Sequence, residues 1–558
     1  ALPLYDEAFR VAQRLNRAGV GTILNDANIR RSLGTGPVAE TLRALQDAER
    51  ERADLEGELM TLLSAGEPIS SVRRQIDAFG PRLSELRAEI RQLAPDYAAY
   101  VSADAVGLNE AASLLAPDEA LVFYATRPVR QPDGSSAQLG AAIVLTRNGF
   151  GTATVNVPGG LDALSQRVRC AAARTDPACA RTASGVRGAF SLDGDDGDGG
   201  TPEEAFDYTA SYEAFKALME PLPLDLALDG IRSLVIVPDS ALVAMPFHLM
   251  VTAPTAGNIS VRDAPWLLRD VAITVTPTVS SFIGLRRDRA RSRDAALPGR
   301  GSFLGIGDPL IGAQANGPLE FDCQSVLARP VLVADAGDLS PVQRGGVTNR
   351  NGLLDLAELP DTECELRATA RSFSNQATIL IHENAREATI KEMSADGRLA
   401  DFSVISFATH GLIAGELGAN QAGLVMTPPT EVGSIDDGLL TTDEIAALRL
   451  NADFVLLSAC NTAAGEARDA EGLSGLAGAF FYAGARNLLV SHWPVYSDAA
   501  TRLTTGLFDA LADDPEISRA DALRRSVLSI LDDPKADPRQ QHPAYWGPFM
   551  LVGEGGRP

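Results

Sequence analysis

Apolar positions near the N terminus recur at alternating intervals of three and four residues, the spacing of a helical seam. From residue 69 onward they fall at Ile69, Val72, Ile76, Phe79, Leu83, Leu86, Ile90 and Leu93. An earlier run with this spacing, broken once at Arg52, lies at Leu45, Ala48, Leu55, Leu59 and Leu62, and turn residues at 64–68 separate the two. We predict an antiparallel helical hairpin, kinked where Gly80-Pro81 interrupts its second helix. Residues 5–19 predict one more amphipathic helix, so that 1–100 forms a helical, repeat-like region.

After about residue 103, short apolar runs alternate with helical patterns. The runs predict strands at Ala120–Ala125, Ala141–Leu145, Thr154–Val157, Ser233–Val237, Val271–Thr276, Phe303–Ile306, Thr378–Ile381, Phe402–Ala408, Gly423–Met426, Phe454–Ala459, Leu488–Ser491 and Phe549–Val552. Helices are predicted at Glu365–Ser374, Thr442–Leu448, Glu471–Ala483 and Ala499–Ala512. This alternation predicts an α/β fold, with a parallel or mixed sheet flanked by helices.

Composition narrows the class of protein without changing this picture. The chain has 558 residues, enough for roughly two to four folding units. Its formal net charge of −24 disfavours nucleic acid and anionic membranes as partners. No apolar run reaches 18 residues, and the start carries no signal-peptide pattern or initiator Met. We therefore expect a cytoplasmic fragment of a longer chain, with export left open and the oligomeric state undefined.

The five cysteines do not have the spacing of a zinc site, so we expect no metal and no cofactor. Cys170 and Cys179 could close a small loop, but the low cysteine density favours two free thiols. A bond between them would indicate an exported protein. Cys364, on an amphipathic helix, is expected to be structural.

Two buried-strand patterns end in reactive side chains. Phe402–Ala408 leads to His410-Gly411, and Phe454–Ala459 leads to Cys460, 50 residues further on. Because ligands and catalytic groups in α/β sheets lie at the carboxyl ends of strands, adjacent parallel strands would bring His410 beside Cys460. An imidazole next to a thiol is the pairing that nucleophilic catalysis needs. The N–H groups of Gly411 and Cys460 could then form an oxyanion hole.

Plainer interpretations stand beside this one. Cys460 alone is better explained as a buried core thiol, because free cysteine is among the most buried residue types. Among the remaining histidines, core packing is expected for His248, a polar strand edge for His382, and packing beside Trp and Pro for His492 and His542. A serine hydrolase is disfavoured because no Gly-x-Ser-x-Gly sequence follows a strand.

Several longer stretches resemble the CHAT family, caspase-like domains often appended to tetratricopeptide repeats. They are Phe407-Ala-Thr-His-Gly411, Leu457-Ser-Ala-Cys-Asn-Thr-Ala463, the glycine-rich stretch 472–485, Ser491-His-Trp-Pro-Val495, His542-Pro-Ala-Tyr-Trp-Gly-Pro-Phe549, and upstream Val237-Pro and Met245-Pro-Phe247. The resemblance implies a degenerate caspase-like half at 103–300 and an active half at 301–558. It also implies a cysteine endopeptidase with a His410–Cys460 dyad, a protein substrate and an activating protein partner. A catalytically silent assembly module is the alternative.

Specificity is the least determined feature. Arg-preferring relatives place an Asp two residues before the nucleophile, where this chain has Ser458. Separase-like relatives carry an acid shortly after a Trp-x-Val segment, where this chain has Asp498. A carboxylate there could pair with a basic substrate side chain, so Ser458 and Asp498 are candidate substrate-binding residues. The competing interpretation is that Ser497 and Asp498 cap the helix that follows.

Overall fold

The structure is a computed structural model, and the part of the chain that it describes is interrupted by several gaps. The described residues are 2–15, 37–65, 69–93, 105–131, 136–173, 179, 206–224, 230–239, 242–255, 259–294, 301–311, 323, 353–354, 356, 359–373, 376–412, 421–429, 436–458, 475–493, 495–514, 516–536 and 538–556. None of the helices in these ranges is long and apolar enough to cross a bilayer.

All twelve predicted strands are present within the described residues, together with two short ones that the sequence did not reveal. The strands are β1 (Glu119–Arg130), β2 (Ser136–Thr146), β3 (Gly149–Pro158), β4 (Ser233–Val237), β5 (Ala272–Val275), β6 (Phe303–Gly307), β7 (Ala377–Leu380), β8 (Val404–Ala408), β9 (Gly411–Leu412), β10 (Gly423–Val425), β11 (Leu439–Thr441), β12 (Phe454–Ser458), β13 (Asn487–Ser491) and β14 (Phe549–Gly553).

The helices of the described residues cover both faces of the sheet and form the N-terminal hairpin. They are α1 (Leu2–Leu15), α2 (Pro37–Ala65), α3 (Ser70–Leu93), α4 (Leu108–Ser113), α5 (Leu161–Ala172), α6 (Tyr208–Leu218), α7 (Leu267–Asp270), α8 (Val279–Asp294), α9 (Pro360–Ala370), α10 (Glu387–Ala395), α11 (Thr442–Ala447), α12 (Gly475–Ala483), α13 (Ser497–Asp513), α14 (Arg519–Leu531), α15 (Pro538–Gln541) and α16 (Pro543–Trp546).

One sheet of eleven strands organises the α/β part, in the order β3-β2-β1-β4-β5-β14-β13-β12-β8-β6-β7. β1, β4 and β5 run parallel to one another, and so do β7, β6, β8, β12 and β13. The C-terminal strand β14 lies between the two blocks and runs antiparallel to β13. The predicted fold class, a mixed sheet with flanking helices preceded by a helical region, is confirmed. The division of this sheet at residue 300 stays a prediction.

Two antiparallel features modify the predicted parallel sheet. β1, β2 and β3 form a meander at one edge. The strand predicted at Gly423–Met426 does not join the main sheet: as β10 it forms a separate three-stranded sheet with β9 and β11. This small sheet directly follows β8 in the chain and therefore lies beside the end of that strand.

The alternation of side chains along β12 shows how the sheet is covered. Val455 and Leu457 belong to an apolar cluster with residues of α10, α11 and α12, whereas Phe454 and Leu456 belong to another with residues of α9, α13 and α14. Because successive side chains of a strand point to opposite faces, the two clusters occupy the two sides of the sheet. The central strands are therefore buried on both faces, as their continuous apolar runs predicted.

The predicted hairpin is present as α2 and α3. Thr41 contacts Glu89 and Arg82 contacts Glu51, so the two helices run antiparallel. α3 continues through Gly80 and Pro81 as one helix, and the predicted kink there stays a prediction. The apolar seam inside the hairpin is formed by Leu42, Leu45, Ala48, Phe79, Leu83 and Ile90.

Helix α1 packs on the main sheet instead of extending the hairpin. Phe9 is fully buried and meets Phe123 of β1 edge to face, with ring centroids 5.6 Å apart. The Asp6 carboxylate accepts a hydrogen bond of 2.7 Å from the backbone N–H of Leu108. The predicted amphipathic helix is present, but an amphipathic pattern alone does not say which surface covers its apolar face.

The expectation of free thiols at Cys170 and Cys179 is wrong. The two residues form a disulfide, as do Cys323 and Cys364. The Cα atoms of Cys170 and Cys179 lie 5.3 Å apart, which is within the range that a disulfide needs, and overall cysteine density carries no such geometric information. Disulfides persist mainly in oxidising compartments, so the cysteine count gives no support to the predicted cytoplasmic location.

Candidate active site

The candidate site lies where five parallel strands end at one edge of the sheet. β7, β6, β8, β12 and β13 run in the same direction, so the residues at and after their carboxyl ends share that edge. In the spatial order of the strands these residues are His382, Asp308, His410, Ser458 and His492. Three of the chain's five histidines, for which the sequence predicts unrelated roles, therefore lie at the same edge of the sheet.

His410 is held in place through its backbone. Its side chain is buried, and its carbonyl accepts a hydrogen bond of 2.9 Å from the N–H of Val425 in β10. The neighbouring Thr409 donates its hydroxyl to the Val425 carbonyl at 2.6 Å. The small sheet therefore fixes the end of β8, and Gly411 begins β9 opposite Leu424.

The predicted nucleophile Cys460 lies outside the described residues. The described strand next to it ends at Ser458, which is the register partner of Ala408 in β8. His410 follows Ala408 by two residues, and Cys460 follows Ser458 by two residues. The two predicted catalytic residues thus follow equivalent positions of adjacent parallel strands.

Ser458 contacts a carboxylate that the sequence pattern does not predict at this site. Its hydroxyl donates a hydrogen bond of 3.0 Å to Glu365 of α9, whose side chain is buried. Burial raises the pKa of Glu365 to about 8, and the neighbouring Asp361 adds to this increase, while the hydrogen bond from Ser458 opposes it. Position 458 carries no acid of its own, but Glu365, which is 93 residues away in the sequence, contacts it.

Asp498 does not cap the helix. Tyr496 occupies the N-cap position, and Asp498 lies in the first turn of α13 with its side chain buried. One of its carboxylate oxygens accepts a hydrogen bond of 2.7 Å from the Tyr545 hydroxyl. The capping interpretation is therefore wrong, and the side chain is directed toward the interior.

Asp361 connects these groups. It is one helical turn before Glu365 on α9 and is also buried. Burial raises its pKa to about 6, and the negative charges of Asp308 and Asp498 raise it further. Asp308, Asp361, Glu365 and Asp498 therefore form an acidic cluster beside the ends of β6 and β12.

His382 and Asp308 form a pair with unusual backbone geometry. The imidazole Nε2 lies 2.9 Å from Asp308 Oδ2, and the His382 N–H donates to the Asp308 carbonyl at 3.0 Å. Asp308 has a backbone φ of 43° and His382 one of 53°, in the left-handed region that residues other than glycine rarely adopt. His382 is thus tied to the neighbouring strand and is more than a polar strand edge.

Two groups of described residues have ligand atoms close enough to hold a metal ion. Asp308, Glu363 and His382 form one, and Glu387, Asp436 and Glu444 form the other. The second group already surrounds the Lys391 ammonium, which contacts Asp436 and Glu444 at 2.6 Å each. The first group surrounds no ammonium of the described residues and is therefore the better candidate for a metal site, with the imidazole of His382 hydrogen-bonded to Asp308.

The remaining histidines have local structural partners. His248 Nε2 lies 2.8 Å from the Gly547 carbonyl, and burial lowers its pKa to about 4. Burial also lowers the pKa of His492, which stacks on Trp493. His542 accepts a hydrogen bond from the N–H of Ala544 and caps α16.

One cavity lies far from these residues. It has a volume of about 730 Å³ and is lined by charged side chains, among them Glu119, Arg286, Arg289 and Glu554. Glu554 follows β14, whose end pairs with the beginning of β13, so the cavity lies at the sheet edge opposite His410.

We expect Glu365→Gln to change how the stability of the protein depends on pH. The folded-state pKa of about 8 lies above the ordinary value of 4.5, so the folded protein retains a proton that the unfolded chain loses. The stabilisation linked to that proton is present below pH 4.5 and is lost as the pH rises through 8. In urea unfolding, the variant should therefore gain stability relative to the parent protein between pH 5 and pH 9.

Glu363→Gln, two residues away on the same helix and ion-paired with Arg367, serves as the control. A stability difference for Glu365→Gln that stays constant from pH 5 to pH 9 would show that Glu365 titrates normally.

Comparison with known families decides the relationship that the sequence suggested. A model of the CHAT domain family matches residues 210–554, more than half of the chain. The chain belongs to the CHAT domain family. Its predicted resemblance to that family is confirmed, and the candidate site lies inside the matched range.

This CHAT protein is also similar to individual proteins. It is 32% identical to mouse tetratricopeptide repeat protein 28 over 115 residues, which are 21% of this chain and 4% of that protein's length. Gingipain R (RgpB), an Arg-specific cysteine proteinase of Porphyromonas gingivalis, matches 63% of this chain and 68% of its own at 10% identity and a TM-score of 0.33. The Saccharomyces cerevisiae separase–securin complex matches 80% of this chain and 30% of its own at 12% identity and a TM-score of 0.38.

Proposed function

We propose that this CHAT protein is a cysteine endopeptidase in which Cys460 is the nucleophile and His410 the general acid and base. The supporting observation is the register of β8 and β12, in which Ala408 and Ser458 are partners and each precedes one of the two residues by two positions. A thiol and an imidazole that follow adjacent parallel strands have the arrangement that nucleophilic catalysis uses.

The reaction follows from these roles. The Cys460 thiolate attacks the scissile carbonyl carbon, and the N–H groups of Gly411 and Cys460 stabilise the oxyanion. The C–N bond breaks as His410 protonates the departing amine, which leaves a thioester. His410 then takes a proton from water, the hydroxide attacks the thioester, and the carboxylic acid and thiolate are released. These steps require no metal or cofactor.

A protein partner could control this site through the N-terminal hairpin. Asp47 of α2 accepts a hydrogen bond of 2.7 Å from the hydroxyl of Tyr482 in α12. Arg43 donates to the carbonyl of Leu448 at 2.7 Å, just after α11. Both contacts link the hairpin to the α/β part, and α12, which carries Tyr482, follows Cys460 in the chain. We therefore propose that the hairpin carries the response to an activating partner, and that the substrate is a protein.

Covalent labelling tests the proposed function. A panel of peptidyl acyloxymethyl ketones that differ in the residue next to the warhead should modify Cys460, as mapped by mass spectrometry of the intact chain. Cys460→Ala should abolish the modification and leave any labelling of other positions unchanged. If no member of the panel labels Cys460, with or without cell lysate as a source of activator, the silent assembly module becomes the better account of the fold.

A further inference from the structure

The two edges of the eleven-stranded sheet differ in how they are protected. β7 forms one edge with only four residues and so offers few backbone groups for further pairing. β3 forms the other with the ten residues Gly149–Pro158, which contain no charged side chain and pair with β2 without a bulge. Shortness, charge, bulges and internal prolines are the usual protections of an edge strand, and the only proline of β3 is its last residue. Within the described part of the chain, β3 is therefore an open edge.

The register of β3 with β2 identifies the backbone groups that face outward. The N–H of Gly159 donates to the carbonyl of Ser136 at 2.8 Å, so these two residues form a hydrogen-bonded pair. Such pairs occur at every second position of an antiparallel ladder, so the odd-numbered residues of β3 bond to β2. The outward N–H and C=O groups therefore belong to the even-numbered residues Phe150, Thr152, Thr154 and Asn156. All four side chains are exposed, and no described strand pairs with this side of β3.

These four residues are self-complementary in an antiparallel pairing. When two copies of β3 meet with Ala153 on the two-fold axis, Thr152 lies opposite Thr154 of the second copy, which is a favourable cross-strand pair. Phe150 then lies opposite Asn156 of the second copy, and no other register engages all four residues. Each copy contributes four donors and four acceptors, for a total of about eight hydrogen bonds, and a stable interface carries roughly ten.

The charges around β3 favour a second copy of this chain as the occupant. The chain has a net charge of −24, which opposes self-association at most surfaces, but β3 itself is uncharged. Arg147 lies just before β3 and Asp162 just after it, in the first turn of α5, and both are exposed. In the two-fold register Arg147 lies opposite Gly159 of the second copy, three residues before Asp162. Opposite charges therefore meet at both ends of the paired strands.

An exposed apolar patch lies at the beginning of the same strand. The ring of Phe150 lies 5.3 Å from the ring of Tyr5 in α1, and Leu4 precedes Tyr5 in the chain. These are three of the five large apolar side chains that are exposed in the described residues, with exposed fractions of 37%, 42% and 75%. Because Phe150 lies opposite Asn156 of the second copy in this register, the patch would contact the far end of that copy's β3.

We propose that this protein is a homodimer in which two copies pair along β3, antiparallel and centred on Ala153, so that one sheet continues through both copies. The sequence left the oligomeric state undefined, and the open edge supplies it. The two-fold axis reverses the direction of the strands, so the candidate active sites at the ends of β8 and β12 point to opposite sides of the dimer. The inference does not depend on the proposed peptidase function.

Sedimentation velocity over a wide range of protein concentrations tests the oligomeric state directly. We expect a species of twice the 58.8 kDa of one chain, which dissociates to a monomer on dilution. A monomer at the highest attainable concentration would mean that the edge is covered by another segment or by another protein, and the inference would be wrong.

A proline variant locates the interface on β3. Thr154→Pro removes an outward N–H from each copy but leaves the bonds between β3 and β2 intact, because residue 154 does not bond to β2. We expect the dissociation constant of the dimer to rise at least about 100-fold. Thr154→Ala keeps the N–H and should change the dissociation constant by less than about 10-fold, which makes it the matched control. A dimer that survives Thr154→Pro unchanged would exclude β3 as its interface.

Paired charge variants test the interface without a proline and also test its register. Thr152→Lys with Thr154→Lys places lysines opposite lysines, so this double variant should be monomeric, as should the corresponding double glutamate variant. Mixing the two double variants should restore a dimer that contains one copy of each. Ser71→Lys with Ser84→Lys adds the same charge to exposed positions of α3 and should leave the dimer intact. If mixing restores no dimer, or if the α3 variant dissociates as well, the two copies do not pair in the proposed register.

Discussion

Replacing His410 by asparagine should lower kcat/KM for the best peptide substrate by about 10²–10⁴-fold, the usual contribution of a positioned general acid and base. In the proposed mechanism the imidazole both activates the thiol of Cys460 and protonates the departing amine, and the variant loses both contributions. The backbone contacts of His410 with β10 do not involve the side chain, so the end of β8 should keep its position. Steady-state assays across pH 5–9 measure the loss, and the limb of the pH profile that reports the imidazole should disappear.

The matched control for this variant is His542→Asn. His542 acts as a helix cap, and asparagine is a preferred residue at that position, so its replacement should leave kcat/KM within a few-fold of the parent. Retention of activity in His410→Asn, or an equal loss in His542→Asn, would contradict the role assigned to His410. Cys460→Ala supplies the background rate.

The positions of His410 and the strands could be predicted because continuous apolar runs report burial on both faces of a sheet. Phe402–Ala408 and Phe454–Ala459 are such runs, and a polar residue that follows one must lie at the sheet edge. Strand partners do not follow from such patterns. β14 was predicted as a strand, but its place between β5 and β13, far from its neighbours in sequence, depends on packing that the pattern does not encode.

The burial of the acidic cluster could not be predicted from the sequence either. Glu365 lies 93 residues before Ser458, and on sequence alone the charges of α9 are those of any amphipathic helix. Their burial depends on how α9 lies across β6 and β8, which single-sequence periodicity does not report. The clue that was available was the spacing of Asp361 and Glu365 by four residues, which places both on one helical face.

Glu554 offers the largest stability effect that we expect in the described residues. It follows β14, is fully buried, and forms ion pairs with Arg286 and Arg289 of α8. Arg286 also contacts Glu119 at the beginning of β1, with Nη2 and Oε1 2.6 Å apart. This network joins the C-terminal strand to the block of β1, β4 and β5, so that the two parts of the sheet are linked by charge as well as by strand pairing.

Glu554→Gln should lower the free energy of unfolding by about 3–5 kcal/mol, because it leaves two guanidinium groups buried without their shared carboxylate. Breaking an exposed ion pair costs far less, about 0–1 kcal/mol, and Glu110→Gln, which removes the exposed partner of Arg287, supplies that comparison. Urea unfolding of both variants at neutral pH measures the two losses on one scale. Equal losses of unfolding free energy in the two variants would mean that solvent already screens the Glu554 network. A much larger loss in Glu554→Gln would show that this network stabilises the junction of β14 with the block of β1, β4 and β5.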